Sequence, residues 1–232
     1  MTNNLTADVL VITPHSDDAE YGVAGTVVRW VREGKTVVYA VCTNGDKGSS
    51  DPNMNPEELM SIREREQLAA AEVLGVKHVE FLRRPDQGLE DTPDFRKDIV
   101  RLIRKYKPDI VVTADPYRRY LWHRDHRITG QVVLDAVFPY ARDVHAYPDL
   151  LEEGLHPHNV NVVLLWGTED VNYCSDITAT FGDKVTALLC HKSQIEQFNS
   201  PAWQERLTKR YQKMGEPEGM LFAETFHRVK IW

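Results

Sequence analysis

Four apolar runs of strand length, residues 8–13, 36–43, 78–82 and 109–114, alternate with three segments of helical periodicity, residues 22–32, 56–74 and 93–106. Short apolar strands separated by amphipathic helices pair through crossover connections, which make the strands parallel and cover both faces of the sheet. The chain is therefore expected to be an α/β protein with a Rossmann-like, mostly parallel sheet and helices on both faces. Lys107-Pro108 closes the third helical segment, because the residue before a proline is pushed out of the helical region. Past residues 133–140 the alternation weakens. A Pro- and His-rich loop at 147–158, a strand at 160–166 and helices near 183–197 and 203–214 follow. Residues 1–145 are read as the core, and 146–232 as the part that completes the sheet and walls a pocket. The 232 residues are read as one domain, a length with ample volume for a buried core.

In sheets of this kind ligands bind beyond the carboxyl ends of the strands. The first strand ends in Thr13-Pro14-His15-Ser16-Asp17-Asp18-Ala19-Glu20, and the glycine-rich turn of a dinucleotide site is missing, so no nucleotide cofactor is expected. His15 and Asp18, three residues apart in a strand-to-helix turn, can point at one centre, and imidazole with carboxylate is a common catalytic zinc pair. Asp17 is then free for another role. The plainer alternative is that Asp17 and Asp18 only cap the following helix.

A second constellation, Trp122-His123-Arg124-Asp125-His126-Arg127, follows the apolar run that closes at Ala114. If Asp125 and His126 enter a helix, His123 and His126 lie on neighbouring positions of its first turn. A lone HxxH is a weak pattern, because histidines are often merely packed or exposed. Two such clusters on the same sheet edge carry more weight. His15, Asp18 and His126 together would leave a fourth metal position open for water, as in hydrolytic rather than structural zinc sites, with Asp17 and His123 supplying a base and a cation.

With those residues in place, the chain resembles the LmbE-like, or phosphatidylinositol-glycan class L type, zinc de-N-acetylases. The resemblance rests on the PHSDDAE segment at 14–20, Gly22 and Gly25, the Ile62-Arg63-Glu64-Arg65-Glu66 stretch before Ala69 to Gly75, the WHRDH segment at 122–126, and His191-Lys192-Ser193-Gln194. Residues 115–130, with the later His156-Pro157-His158, are most similar to the diacetylchitobiose deacetylases of that family. The resemblance implies one zinc ion per chain held by His15, Asp18 and His126, a general base at Asp17, and an oxyanion-stabilising His123, expected protonated and oriented by Asp125. It also implies a substrate- or acetate-contacting Arg63. Other divalent ions can substitute, since nitrogen and oxygen ligands do not select zinc by affinity alone. Read without the resemblance, Arg63 belongs to a solvated helix face rich in ion pairs. His191 is read as a helix-surface histidine able to touch sugar hydroxyls. Ser16 and Arg124 stand where the family usually has proline.

A formal charge of −7 argues against a nucleic-acid or anionic-membrane partner. The sequence has no apolar run of spanning length and no basic leader before an apolar stretch, so a cytoplasmic protein with no membrane contact is expected. Cys42, Cys174 and Cys190 lack metal-type spacing and suit a reducing compartment. The expected partner is a small soluble amino sugar, with homo-oligomerisation left open. Residues 44–55, rich in Gly, Ser, Asp and Asn, read as a mobile loop. Two rivals stand beside the deacetylase: a metal-dependent phosphoester hydrolase, which commonly needs a second metal, and a non-catalytic sugar-binding module.

Overall fold

The computed structural model describes residues 5–120, 122–195 and 200–232. The strands are β1 (Val9–Thr13), β2 (Val37–Thr43), β3 (His78–Arg84), β4 (Ile110–Ala114), β5 (Val162–Trp166), β6 (Tyr173–Asp176) and β7 (Ala223–Lys230). The helices are α1 (Asp18–Arg32), α2 (Pro56–Leu74), α3 (Pro93–Tyr106), α4 (Arg124–Asp135), α5 (Pro148–Glu152), α6 (Phe181–Leu188), α7 (Lys192–Ile195) and α8 (Pro201–Gly215). The strands form one sheet in the order β3-β2-β1-β4-β5-β7-β6. β1 to β5 run parallel, and β7 is antiparallel to both of its neighbours.

Every residue of β1 and β2 is buried, as a sheet covered on both faces requires. Leu10, Ile12, Val38 and Ala40 pack against Phe95, Ile99 and Ile103 of α3 and against Val132 and Val133 of α4. The alternate residues Val9, Val11, Val37 and Tyr39 pack on the other face against Val23, Val27 and Trp30 of α1 and Ala70 and Leu74 of α2. Local chemistry sets the helix limits. Asn55 and Thr92 have extended backbones and accept N–H groups from the first turns of α2 and α3, each with a proline next in sequence. α3 stops at Lys107, whose φ is 51°, before Pro108.

The alternating core follows the expected pattern, with differences at its edges. α1 starts at Asp18 rather than residue 22, β3 runs on to Arg84, and β5 starts at Val162. The segment at 133–140 continues α4 into a widened turn, Ala136–Tyr140, broken by the extended backbone of Phe138. The helix expected at 183–197 is two helices, α6 and α7, separated by a turn that carries His191, and residues 196 and 197 lie outside the described residues. β6 and β7 were not expected. Among the described residues no helix is long and apolar enough to cross a membrane.

Two close approaches fix where the site is built. A Cβ on Gly22 would lie 2.7 Å from the Trp166 ring, and one on Gly130 would lie 2.3 Å from the Ala114 carbonyl oxygen. Glycine therefore lets α1 and α4 lie hard against the sheet. Their N-termini flank the ends of β1 and β4, the point where the strand order reverses and a crevice opens.

Candidate active site

Residues 14–17 carry the chain from β1 into α1. Asp17, the last of them, has φ 87° and ψ −28°, a left-handed conformation uncommon outside glycine, and its side chain does not cap α1. The plain helix-cap reading therefore does not account for it. Asp18 Oδ2 accepts the His15 N–H at 3.1 Å and lies 3.0 Å from His15 Nδ1 and 3.1 Å from His126 Nε2. Burial and the neighbouring Asp18 push the Asp17 carboxyl up to about 6. Burial alone would also raise Asp18, but the imidazoles of His126 and His15 hold it well below the usual carboxylate range.

On the opposite corner His123 is the N-cap of α4, and its Nδ1 accepts the Asp125 N–H at 3.1 Å. An accepting Nδ1 places the proton on Nε2 of a neutral ring. Burial, with the imidazoles of His15 and His126 beside it, also lowers the His123 pKa. The expectation of a protonated His123 is thus corrected: the geometry provides a neutral Nε2–H donor. One ligand nitrogen from each of His15, His123 and His126 lies within 4.8 Å of the others.

Asp125 differs from expectation in a similar way. Its fully buried carboxylate accepts the Gln87 N–H at 2.7 Å and the Leu89 N–H at 3.3 Å, and it lies 3.1 Å from His15 Nε2. The carboxylate orients His15, whereas the backbone N–H of Asp125 orients His123. Sequence reasoning missed Asp86, just past β3, whose Oδ1 is also 3.1 Å from His15 Nε2. A carboxylate beyond the carboxyl end of an expected strand was the available signal.

Arg63 is 4% exposed, so the solvated-face reading fails. It donates from Nη2 to the Ser16 carbonyl at 2.8 Å and from Nη1 to the Gly45 carbonyl at 3.2 Å, and Nη2 stands 4.0 Å from Asp17 Oδ1. The 44–55 loop folds over it: a Cβ on Gly48 would come within 2.4 Å of Nη1. His191 is fully buried, with Nε2 3.3 Å from Glu20 Oε2. A residue without exposed surface does not touch a sugar, which corrects the helix-surface reading of His191.

These groups line a polar cleft of about 190 Å³ that includes His15, Asp17, Arg63, Asp86 and His123. A larger cavity of about 270 Å³ borders Asp18 and His126 and is walled by Trp122, Trp166 and Tyr211. Asp17 and His123 thus face the smaller cleft, while Asp18 and His126 border the larger cavity.

The donor set fits a divalent cation. Separations of 3.0 and 3.1 Å between Asp18 Oδ2 and the two imidazole nitrogens approach the roughly 3.3 Å edge of a tetrahedron with zinc–ligand bonds of about 2.0–2.1 Å. His15 presents its other nitrogen to Asp86 and Asp125, the outer carboxylate partners typical of metal-bound histidine. Two further groups of potential ligands overlap this set: His15 with His123 and His126, and His15 with the buried Asp86 and Asp125.

Residues 10–137 match the family model of the GlcNAc-PI de-N-acetylases. The chain belongs to this family. It is an amide-hydrolysing enzyme of a metal-dependent group. It is 35% identical to the diacetylchitobiose deacetylase of Thermococcus kodakarensis over 216 residues, 93% of this chain and 80% of that protein. A probable N-acetyl-α-D-glucosaminyl L-malate deacetylase 2 of Bacillus cereus is 32% identical over 193 residues, 81% of this chain and 84% of that protein. The solved structure of N,N'-diacetylchitobiose deacetylase from Pyrococcus horikoshii, bound to an inhibitor, superimposes with a TM-score of 0.91 at 32% identity, covering 97% of this chain and 84% of that one.

Proposed function

We propose that this enzyme is a single-domain zinc deacetylase that hydrolyses the N-acetyl amide of a small N-acetylglucosamine-type saccharide or glycoconjugate. The observation that carries the reading is Asp17, a partly buried carboxylate kept out of helix capping beside a His15, Asp18 and His126 donor set. When bound by those three residues, zinc supplies a Lewis acid and eases deprotonation of water at neutral pH. Asp17 takes the proton of the attacking water and passes it to the leaving amine nitrogen, so acetate and a free amine are released. The Nε2–H of His123 hydrogen-bonds the acetamide oxygen as it gains negative charge. Arg63 and Asp86, in the same cleft, orient sugar hydroxyls against the reacting carbonyl. The names of the relatives support an amino-sugar substrate. The free Cys42, Cys174 and Cys190 suit a reducing, cytoplasmic setting.

The test compares acetate release, as kcat/KM, from N-acetylglucosamine, its β-linked dimer and an acetyl-lysine peptide, with phosphodiester cleavage measured alongside. The saccharides are expected to be preferred, with one metal ion per chain by elemental analysis. Preference for the peptide or the phosphodiester would overturn the substrate assignment.

A further inference from the structure

The peptide group joining Ser16 to Asp17 is held at both ends by one helix. Its carbonyl, from Ser16, accepts Arg63 Nη2–H at 2.8 Å, and its N–H, from Asp17, donates to Gln67 Oε1 at 3.2 Å. Arg63 and Gln67 are four residues apart on α2, so they share a face. The plane of this peptide sets φ of Asp17, which sits at 87° where a non-glycine residue needs support.

Gln67 is itself fixed. It is fully buried, and its Nε2 donates to Glu20 Oε1 at 2.9 Å. Because a carboxylate accepts and cannot donate, Glu20 decides which way the Gln67 amide points. The reverse orientation would set NH2 against the Asp17 N–H. Glu20 is also fully buried, with His191 Nε2 3.3 Å from its other oxygen and Lys184 Nζ donating to its carbonyl at 2.8 Å. A chain of contacts thus runs from the turn between α6 and α7, through Glu20 and Gln67, to the backbone of Asp17.

We propose that Gln67 is a positioning residue for the proton acceptor, its amide oriented by Glu20. The inference rests on the reading of Asp17 as the base.

A double-mutant cycle tests it. Gln67→Met keeps the side-chain volume and removes both hydrogen bonds. In the wild-type background it is expected to lower kcat by roughly 10- to 100-fold, the scale of a misplaced catalytic group, with KM within about twofold and metal content unchanged. In an Asp17→Asn background the same change should cost less than about twofold, since the group it positions is already disabled. Gln67→Leu removes the same two hydrogen bonds with a shorter apolar side chain and carries the cycle if the methionine variant does not fold. An equal loss in both backgrounds would overturn the proposal, because a merely structural residue acts regardless of Asp17. A crystal structure of the variant gives a readout independent of turnover: φ of Asp17 should leave the left-handed region, and an unchanged Ser16–Asp17 peptide would also overturn it. If the wild-type enzyme releases no acetate from any saccharide, the substrate reading fails alone and the backbone of Asp17 still decides this one.

Discussion

The two corners that meet at the site are built differently. Between β1 and α1 the chain needs only residues 14–17, His15 and Ser16 are buried, and hydrogen bonds from α2 hold the backbone. Between β4 and α4 it takes residues 115–123, with Tyr117 at 67% and Tyr120 at 93% exposure, and ends at an exposed His123. The short corner holds the groups whose placement and charge matter most to the proposed reaction: two of the proposed metal donors and the proposed base. The long corner brings His123 and His126 to the same centre on the first turn of a helix, beside the exposed Tyr117 and Tyr120.

The largest effect that would break this comparison comes from deleting one histidine at each corner. Both His15→Ala and His126→Ala are expected to lose the metal and all measurable turnover. Their metal-free forms should differ in stability. His15 stands between Asp18, Asp86 and Asp125, the last two buried, whereas half-buried His126 faces Asp18. Removing one partner from a buried ionic cluster costs about 3–5 kcal/mol, so His15→Ala should unfold at clearly lower urea than His126→Ala. Equal midpoints would show that the corners are equally rigid, and retained metal in either variant would refute the donor set.

Within the rigid corner, Asp17→Asn should keep its metal and lose roughly 10²–10⁴-fold in kcat, the range for a general base. Asp18→Asn should lose the metal. Metal content of the two variants decides, and equal loss would make Asp17 a ligand. The sign of the pH dependence follows from Asp17. Its carboxyl is raised to about 6 by burial and by Asp18, and a bound cation pulls it back down. Protonation removes the acceptor, so kcat/KM of the metal-bound wild type should fall as the pH drops below that value. Asp17→Asn should lack this acid limb.

The two corners were not equally legible from sequence. The parallel core was, since each buried strand is a continuous apolar run and each helix between them is amphipathic. Strand β7, with sequence AETFHRVK, escaped notice because its outer positions are charged and one of its buried positions is Glu224, bound to Lys184. The proposed metal donors stood out because His15, Asp18 and His126 sit where strands feed helices. The supporting groups could not: Gln67 and Glu20 act through buried hydrogen bonds between elements far apart in sequence, and polar residues at such positions look like solvent-facing ones until the helices are docked. The same docking hides Arg63 and His191 and explains why both were first placed at a surface.

The smallest expected effect sharpens the comparison from the long corner. Arg124 occupies the first position of α4, after His123 with φ −57° and ψ 136°. That is a backbone a residue before proline readily adopts, and a first-turn N–H has no intrahelical acceptor to lose. Arg124→Pro gives up an ion pair with Glu90 in which the side chains are 51% and 63% exposed. Such pairs contribute about 0–1 kcal/mol and are screened by salt. Proline stiffens the unfolded chain, worth about 0.4–1 kcal/mol to the folded state. The two terms nearly cancel at low ionic strength, so the variant should match the wild type there and be the more stable protein in high salt, as read by urea midpoints at both. Turnover should stay within about twofold, because His123 is oriented by the N–H of Asp125 and not by that of residue 124. A loss of more than about 1 kcal/mol at either salt would mean that the start of α4 depends on a backbone proline cannot enter, and that the long corner is as tightly specified as the short one.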